Sequence, residues 1–143
     1  MAAKVEPLPP IILTIQTPAS PAAAWKALTE PERIAEWFTD ASPLGGVGDG
    51  YRLDFGEGSV VEGVIRNVDD GRGFSHTWVW SDAEPVQETL VTWSVEPADG
   101  GARITLTHEG WAEAGLDEAA RDDHEAYWSG YLDDLVDILG EAG

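Results

Sequence analysis

The chain has 143 residues and no cysteine, with 27 acidic against 8 basic residues for a formal charge of −19 at pH 7. That length suits one domain with a core of its own, here residues 1–143, and the missing cysteines exclude disulfides, thiol nucleophiles and thiolate metal sites. The charge repels phosphate backbones and anionic bilayers, so neither nucleic acid nor membrane is an expected partner.

Residues 1–9 carry Pro7 and Pro9 and are expected to form a flexible arm. They lack the apolar core and cleavage pattern of a signal peptide, and no run approaches the ~20 apolar residues of a membrane span, so a cytoplasmic protein is expected. Ile11 to Gln16 is rich in β-branched residues and reads as a strand. Ser20 then caps a helix over Pro21 to Leu28, with proline at its favoured first position. Thr29 and Glu32 have capping-box spacing ahead of a second helix, Pro31 to Phe38. Thr39 to Gly50, dense in Gly, Asp, Ser and Pro, reads as a loop.

Strands follow. Tyr51, Leu53 and Phe55 alternate, Gly56-Glu57-Gly58 is a turn, and Ser59 to Val68 is the next strand. Gly73 to Trp80 puts Phe74, His76, Trp78 and Trp80 on one face, and Ser81 to Pro85 turns. Val86 to Glu96 aligns Val91, Trp93 and Val95; a hairpin at Pro97 to Gly101 leads into Ala102 to Glu109, which aligns Ile104, Leu106 and His108. After Gly110-Trp111, Asp117 to Leu139 shows helical periodicity, with His124, Tyr127, Trp128, Tyr131, Leu132, Leu135, Val136, Ile138 and Leu139 on its apolar side and Gly140 as the stop. Such a helix is ~35 Å long. One strand, two short helices, a run of strands on short turns and a long helix favour an α+β fold with an antiparallel meander.

No nucleophile motif stands out. G-x-S-x-G is absent, and Gly45 to Gly50 leads into a strand, whereas a phosphate cradle needs a helix start. The abundant carboxylates single out no pair. His76, His108 and His124 have no metal-binding spacing; each is either a locally bonded histidine or a polar group orienting a ligand, with His108 the foremost candidate. The seven tryptophans, with the other rings, exceed what one sheet–helix contact requires, so they either fill a core or line a ligand cavity. Gly130, inside the last helix, is expected to mark a bend or a close approach, flanked by Tyr127 and Tyr131.

The segments WKALTEPERIAEWF, FSHTWVW, ITLTHEGW and YWSGYLDDLVDIL, in that order over about residues 11–139, resemble the SRPBCC superfamily of START-like, Bet v 1-like proteins. Within it they resemble the branch named after the activator of Hsp90 ATPase (AHSA1-like). The resemblance implies a helix-grip fold: a curved antiparallel sheet with two short helices and a long C-terminal helix enclosing an apolar cavity. It implies no shared reaction and no universal catalytic residue; separately, no metal and no cofactor are expected.

The function expected is binding of a small hydrophobic or amphipathic ligand between the sheet and the last helix. Its lining would come from Trp37, Phe38, Tyr51, Phe55, Phe74, His76, Trp78, Trp80, Trp93, His108, Trp111, His124, Tyr127, Trp128 and Tyr131. Two alternatives stand beside it. One is a protein-interaction module of co-chaperone type, for which the chain is too short to hold the further domain of the family's co-chaperone members. The other is a cyclase- or hydrolase-like enzyme using His108 or a tyrosine. Monomer and homodimer are both open.

Overall fold

A computed structural model describes residues 8–43, 45–81 and 86–142. Along them run β1 (Ile11–Thr17), α1 (Pro21–Thr29), α2 (Pro31–Trp37), β2 (Asp40–Ala41), β3 (Gly50–Asp54), β4 (Val60–Asp69), β5 (Gly73–Trp80), β6 (Thr89–Ala98), β7 (Gly101–Glu109) and α3 (Glu118–Ala142). All strands join one antiparallel sheet in the order β1-β7-β6-β5-β4-β3-β2. From β2 to β7 each strand pairs with the next. β1 instead pairs with β7, in register from Ile11↔His108 to Thr17↔Ala102. Because β1 and β2 lie on opposite edges, α1 and α2 are the connection that crosses between them. The sheet curls into a half-barrel, with α3 against β1, α1 and α2; this is the α+β helix-grip fold.

The alternation in sequence places the core. Phe74, His76 and Trp78 of β5, Val91, Trp93 and Val95 of β6, and Ile104, Leu106 and His108 of β7 are buried on the inner face. In β5 the intervening Ser75 and Thr77 are buried as well. The Thr77 hydroxyl accepts from the Val64 N–H at 2.8 Å, beside a β4 bulge between Ile65 and Asn67. Strands approach so closely there that a Cβ on Gly63 would lie 1.9 Å from the Thr77 carbonyl oxygen, which reserves the position for glycine.

Several boundaries differ from expectation. Ser20 caps α1 through its hydroxyl, which accepts from Ala23 N–H, but Thr29 caps nothing. It is the last residue of α1, its hydroxyl donates to Trp25 O at 2.8 Å, and Glu30 begins α2 without a side-chain cap, so the capping box does not form. The loop after α2 contains β2, a two-residue strand too short to leave a periodic signal. β6 starts at Thr89 rather than Val86. Most of the expected arm (residues 1–7) and of the 81–85 turn (residues 82–85) falls outside the described residues.

Helix α3 starts on Asp117, whose carboxylate accepts from Ala120 N–H at 2.9 Å, and it runs through Gly140 to Ala142. Its buried side chains are Trp128, Leu132, Leu135 and Leu139, a narrow 4-3-4 stripe. Tyr127, expected on the apolar side, is 70% exposed, because Trp128, ~100° further round the helix, takes the inward direction. A Cβ on Gly130 would meet nothing within 4 Å, so close packing is not the reason for that glycine. No helix among the described residues is long and apolar enough to cross a membrane.

Candidate functional site

Most of the space under α3 is filled by rings. Trp128 lies 5.6 Å from Trp93 and 5.2 Å from Trp78 between centroids. Trp93 meets Trp37 edge to face at 5.9 Å, and the Trp37 indole donates to Ala27 O at 2.8 Å. Tyr51 packs on His76 at 4.7 Å, Phe74 on His76 at 6.0 Å, and Trp111 on His108 at 4.3 Å. The structure thus puts Trp37, Tyr51, Phe74, His76, Trp93, His108 and Trp111 in the core.

Two indole–imidazole bonds tie α3 to the sheet in opposite senses. Trp128 of α3 donates from Nε1 to His108 Nδ1 of β7 at 3.0 Å. Trp80 of β5 donates from Nε1 to His124 Nε2 of α3 at 3.1 Å. An indole N–H can only donate, so each bond fixes a tautomer. His108 carries its proton on Nε2 and donates to the Thr89 hydroxyl at 2.7 Å, and that hydroxyl donates to Trp78 O. His124 carries its proton on Nδ1 and donates to Ala120 O at 2.8 Å. His76 donates from Nδ1 to Thr77 O at 2.9 Å.

Burial depresses all three imidazoles. It takes His76 to about 4, opposed by the bond to Thr77. It takes His108 to about 2, helped by the other two histidines. His124 is lowered by burial against the opposing pull of Ala120 O and Asp123. All three are therefore neutral near pH 7. The lone pairs of His108 Nδ1 and His124 Nε2 are occupied by indole donors, so neither can act as a general base until its indole partner lets go.

What stays open is a cleft of about 410 Å³ beside the N-terminal half of α3. It is lined by Phe38, Phe55, Trp78, Trp80, His124, Tyr127, Trp128 and Tyr131, together with Gly56, Glu57 and Ser59 of the β3–β4 turn. That turn holds three successive left-handed residues, Gly56, Glu57 and Gly58, at φ 87°, 54° and 83°. The sequence marks it only as a turn, because nothing in G-E-G-S says which surface it faces. Half-buried Phe38 touches Trp37, Phe55, Trp128 and Tyr131 at 4.8 to 5.3 Å. Burial, with Tyr127 and Asp134 nearby, raises the Tyr131 phenol, which keeps it a hydroxyl. Among the described residues one buried side-chain nitrogen or oxygen has no hydrogen-bond partner: Trp78 Nε1.

Two recesses are larger, at about 600 and 500 Å³. The first is ringed by Arg66, Glu88, Glu109 and Glu113, the second by Lys26, Arg33 and Glu36, and neither contains an aromatic ring. Small-molecule sites are mostly apolar with a few directed polar groups, and the 410 Å³ cleft has that make-up. Among the described residues no group of three or more His, Asp or Glu is placed to hold a metal ion.

Residues 18–140 match the family described as Activator of Hsp90 ATPase homolog 1-like protein. Among solved structures, a protein from Mesorhizobium loti superposes with a TM-score of 0.85 at 20% identity, over 94% of this chain and 99% of that one. The Aha1 dimer from Colwellia psychrerythraea gives 0.77 at 21% identity, covering 93% and 97%. CalU16 from Micromonospora echinospora gives 0.75 at 22% identity, covering 91% and 75%. At such identities the likeness is one of fold. No curated protein matches the sequence.

Proposed function

The chain belongs to the family of activator of Hsp90 ATPase homolog 1-like proteins, and on that premise we propose that it binds a small hydrophobic or amphipathic molecule in the cleft between α3 and the β3–β4 turn. The observation that carries this reading is the cleft itself: about 410 Å³ walled by Phe38, Phe55, Trp78, Trp80, Trp128 and Tyr131, next to a core whose other rings are packed. Its volume falls in the range of drug-sized sites. Excluding water from so many rings is the favourable term, at roughly 25 cal/mol per Å² of apolar surface covered.

Titration of the intrinsic tryptophan emission with fatty acids, sterols and polyketide-like aromatics tests the reading. A saturable change is expected with at least one class. Ser59 is exposed and lines the mouth, so Ser59→Trp should block the cleft without disturbing the core and weaken binding at least tenfold. No saturable response in any class, or binding that Ser59→Trp leaves intact, sinks it.

A second reading, a protein-interaction module of co-chaperone type, draws on the family's description and on the acidic outer side of α3, where Asp122, Asp123, Asp133 and Asp137 are exposed. It predicts salt-sensitive binding to purified Hsp90 that charge reversal at Asp133 and Asp137 abolishes. A cyclase- or hydrolase-like reaction has no comparable support, since the imidazole lone pairs nearest the cleft are already engaged.

A further inference from the structure

We propose that the outward face of the sheet is a peptide-docking surface. The recess of about 600 Å³ over β5, β6 and β7 takes an extended segment of a partner protein, with aliphatic side chains on its floor and basic side chains against Glu88, Glu109 and Glu113. The recess is on the other side of the sheet from the α3 cleft, so it stands or falls independently of the ligand reading above.

Strand register builds the recess. Thr77 pairs with Leu90 and Leu90 with Glu109, so the three form one row across β5, β6 and β7. Their strand neighbours His76, Val91 and His108 are buried in the core, so the row faces outward. Rings of α1, α2 and α3 (Trp25, Trp37 and Trp128) meet the inward residues Phe74 and Trp93, which puts the helices on the inner side. β7 ends at Glu109, and Gly110 turns the chain in the left-handed region at φ 93°. Ala114 N–H then bonds to Gly110 O at 3.0 Å, and this turn brings Glu113 back to the rim beside Glu109. Glu88, just ahead of β6, lines the same end. Arg66 belongs to β4, beyond β5 in the sheet order, and so marks the opposite end.

The floor is apolar. Leu8, Pro10 and Leu90 line it, and Val64, whose N–H bonds to the Thr77 hydroxyl, is 38% exposed beside it. Apolar surface inside a polar rim is the pattern of a contact site. Charge then selects the partner. Glu88, Glu109 and Glu113 are exposed and form no ion pair among the described residues. Three carboxylates against one guanidinium leave the rim negative, and the charge of −19 adds to its field. Lysine and arginine suit such a rim: the stem lies on the floor while the charged head stays in water beside a carboxylate. Size separates a peptide from a lone cation. From Arg66 on β4 to Pro10 ahead of β1 the recess crosses four strand spacings, ~19 Å at ~4.8 Å each, which an extended segment of about six residues spans. Arg66 repels a uniformly basic segment, so the basic side chains belong at the β7 end and an acidic one at the β4 end.

The hexapeptide acetyl-Lys-Arg-Leu-Val-Ser-Glu-amide and its reversed sequence, titrated into the full chain and followed in ¹H–¹⁵N spectra, test this for both chain directions. Saturable shifts are expected at the backbone amides of Thr77, Leu90, Gly110 and Glu113 with one of the two, and raising NaCl from 20 to 300 mM should weaken the binding several-fold. Serine in place of the peptide's Leu and Val should weaken it roughly tenfold. Glu109→Lys with Glu113→Lys should also weaken it roughly tenfold. Asp133→Lys with Asp137→Lys makes the same change of charge on α3 and should alter the affinity by no more than about twofold. Ser59→Trp, at the cleft, should leave it unchanged. The absence of saturable shifts overturns the proposal, as does an equal loss in both charge-reversed proteins, which would reduce the effect to the field of the whole surface. Equal affinity for the serine peptide, or shifts confined to the cleft at Trp80 and Tyr131, overturns it too. Concentration-dependent shifts of the same amides without peptide would give the surface to a second copy of the chain instead. Should a charge-reversed protein not fold, the wild-type titrations with the parent and serine peptides still decide.

Discussion

His108 and His124 accept from Trp128 and Trp80 only while they are uncharged. In the folded chain His76 and His108 have pKa values far below the ordinary histidine value of ~6.5, so between pH 6.5 and about 4 the unfolded chain binds more protons than the folded one. The stability that depends on neutral imidazoles is complete above pH 6.5 and drains away as pH falls, at up to ~1.4 kcal/mol per pH unit for each fully buried group. Urea unfolding across this window should show that slope. His108→Gln can still accept from Trp128 and donate to Thr89 but does not titrate, so its slope should be shallower by about one proton. Equal slopes in wild type and variant would refute the assignment. At this scale little was legible beforehand. The period-two pattern put His76 and His108 inward, yet the indole each imidazole meets depends on the register between sheet and helix, which a single strand's pattern does not contain.

Among the elements, α3 carries the clearest lesson about periodicity. Its three- and four-residue steps gave the element and its inward stripe, and Trp128, Leu132, Leu135 and Leu139 are buried as that spacing requires. They did not say where the stripe ends sideways: Tyr127 and Tyr131 flank it, both at the cleft, with Tyr127 70% exposed. Gly130 sits in that helix with open space around its Cα. Gly130→Ala should therefore stabilise the fold by ~1 kcal/mol through helix propensity alone, seen as a higher urea midpoint with an unchanged m-value. A destabilised variant would mean that the glycine serves a bend or a contact that the geometry does not contain. The strands β5, β6 and β7 were readable because inward residues alternate cleanly. β2 was not, since two residues carry no period, and neither was the capping failure at Thr29, where α1 claimed a residue that could also have opened α2.

For the whole molecule, a charge of −19 spread over 143 residues means self-repulsion that the core must outweigh. Raising NaCl from 10 to 500 mM screens it and should raise Tm by about 2–5 °C, and a flat response would show that the acidic side chains are already locally balanced. The fold class followed from element order. Whether a ring fills or lines the interior did not, because Trp93 and Trp80 carry the same inward signal and differ only in what stands opposite them. The rings of Trp37, Trp93, Trp128, Trp78 and Trp80 follow one another at 5.2 to 5.9 Å. Ultraviolet excitation absorbed by any of them can migrate along the chain of indoles before it is emitted. A guest that quenches Trp80 at the rim would thus dim emitters it never touches, Trp37 included, and polarisation should decay faster in this protein than its tumbling alone allows.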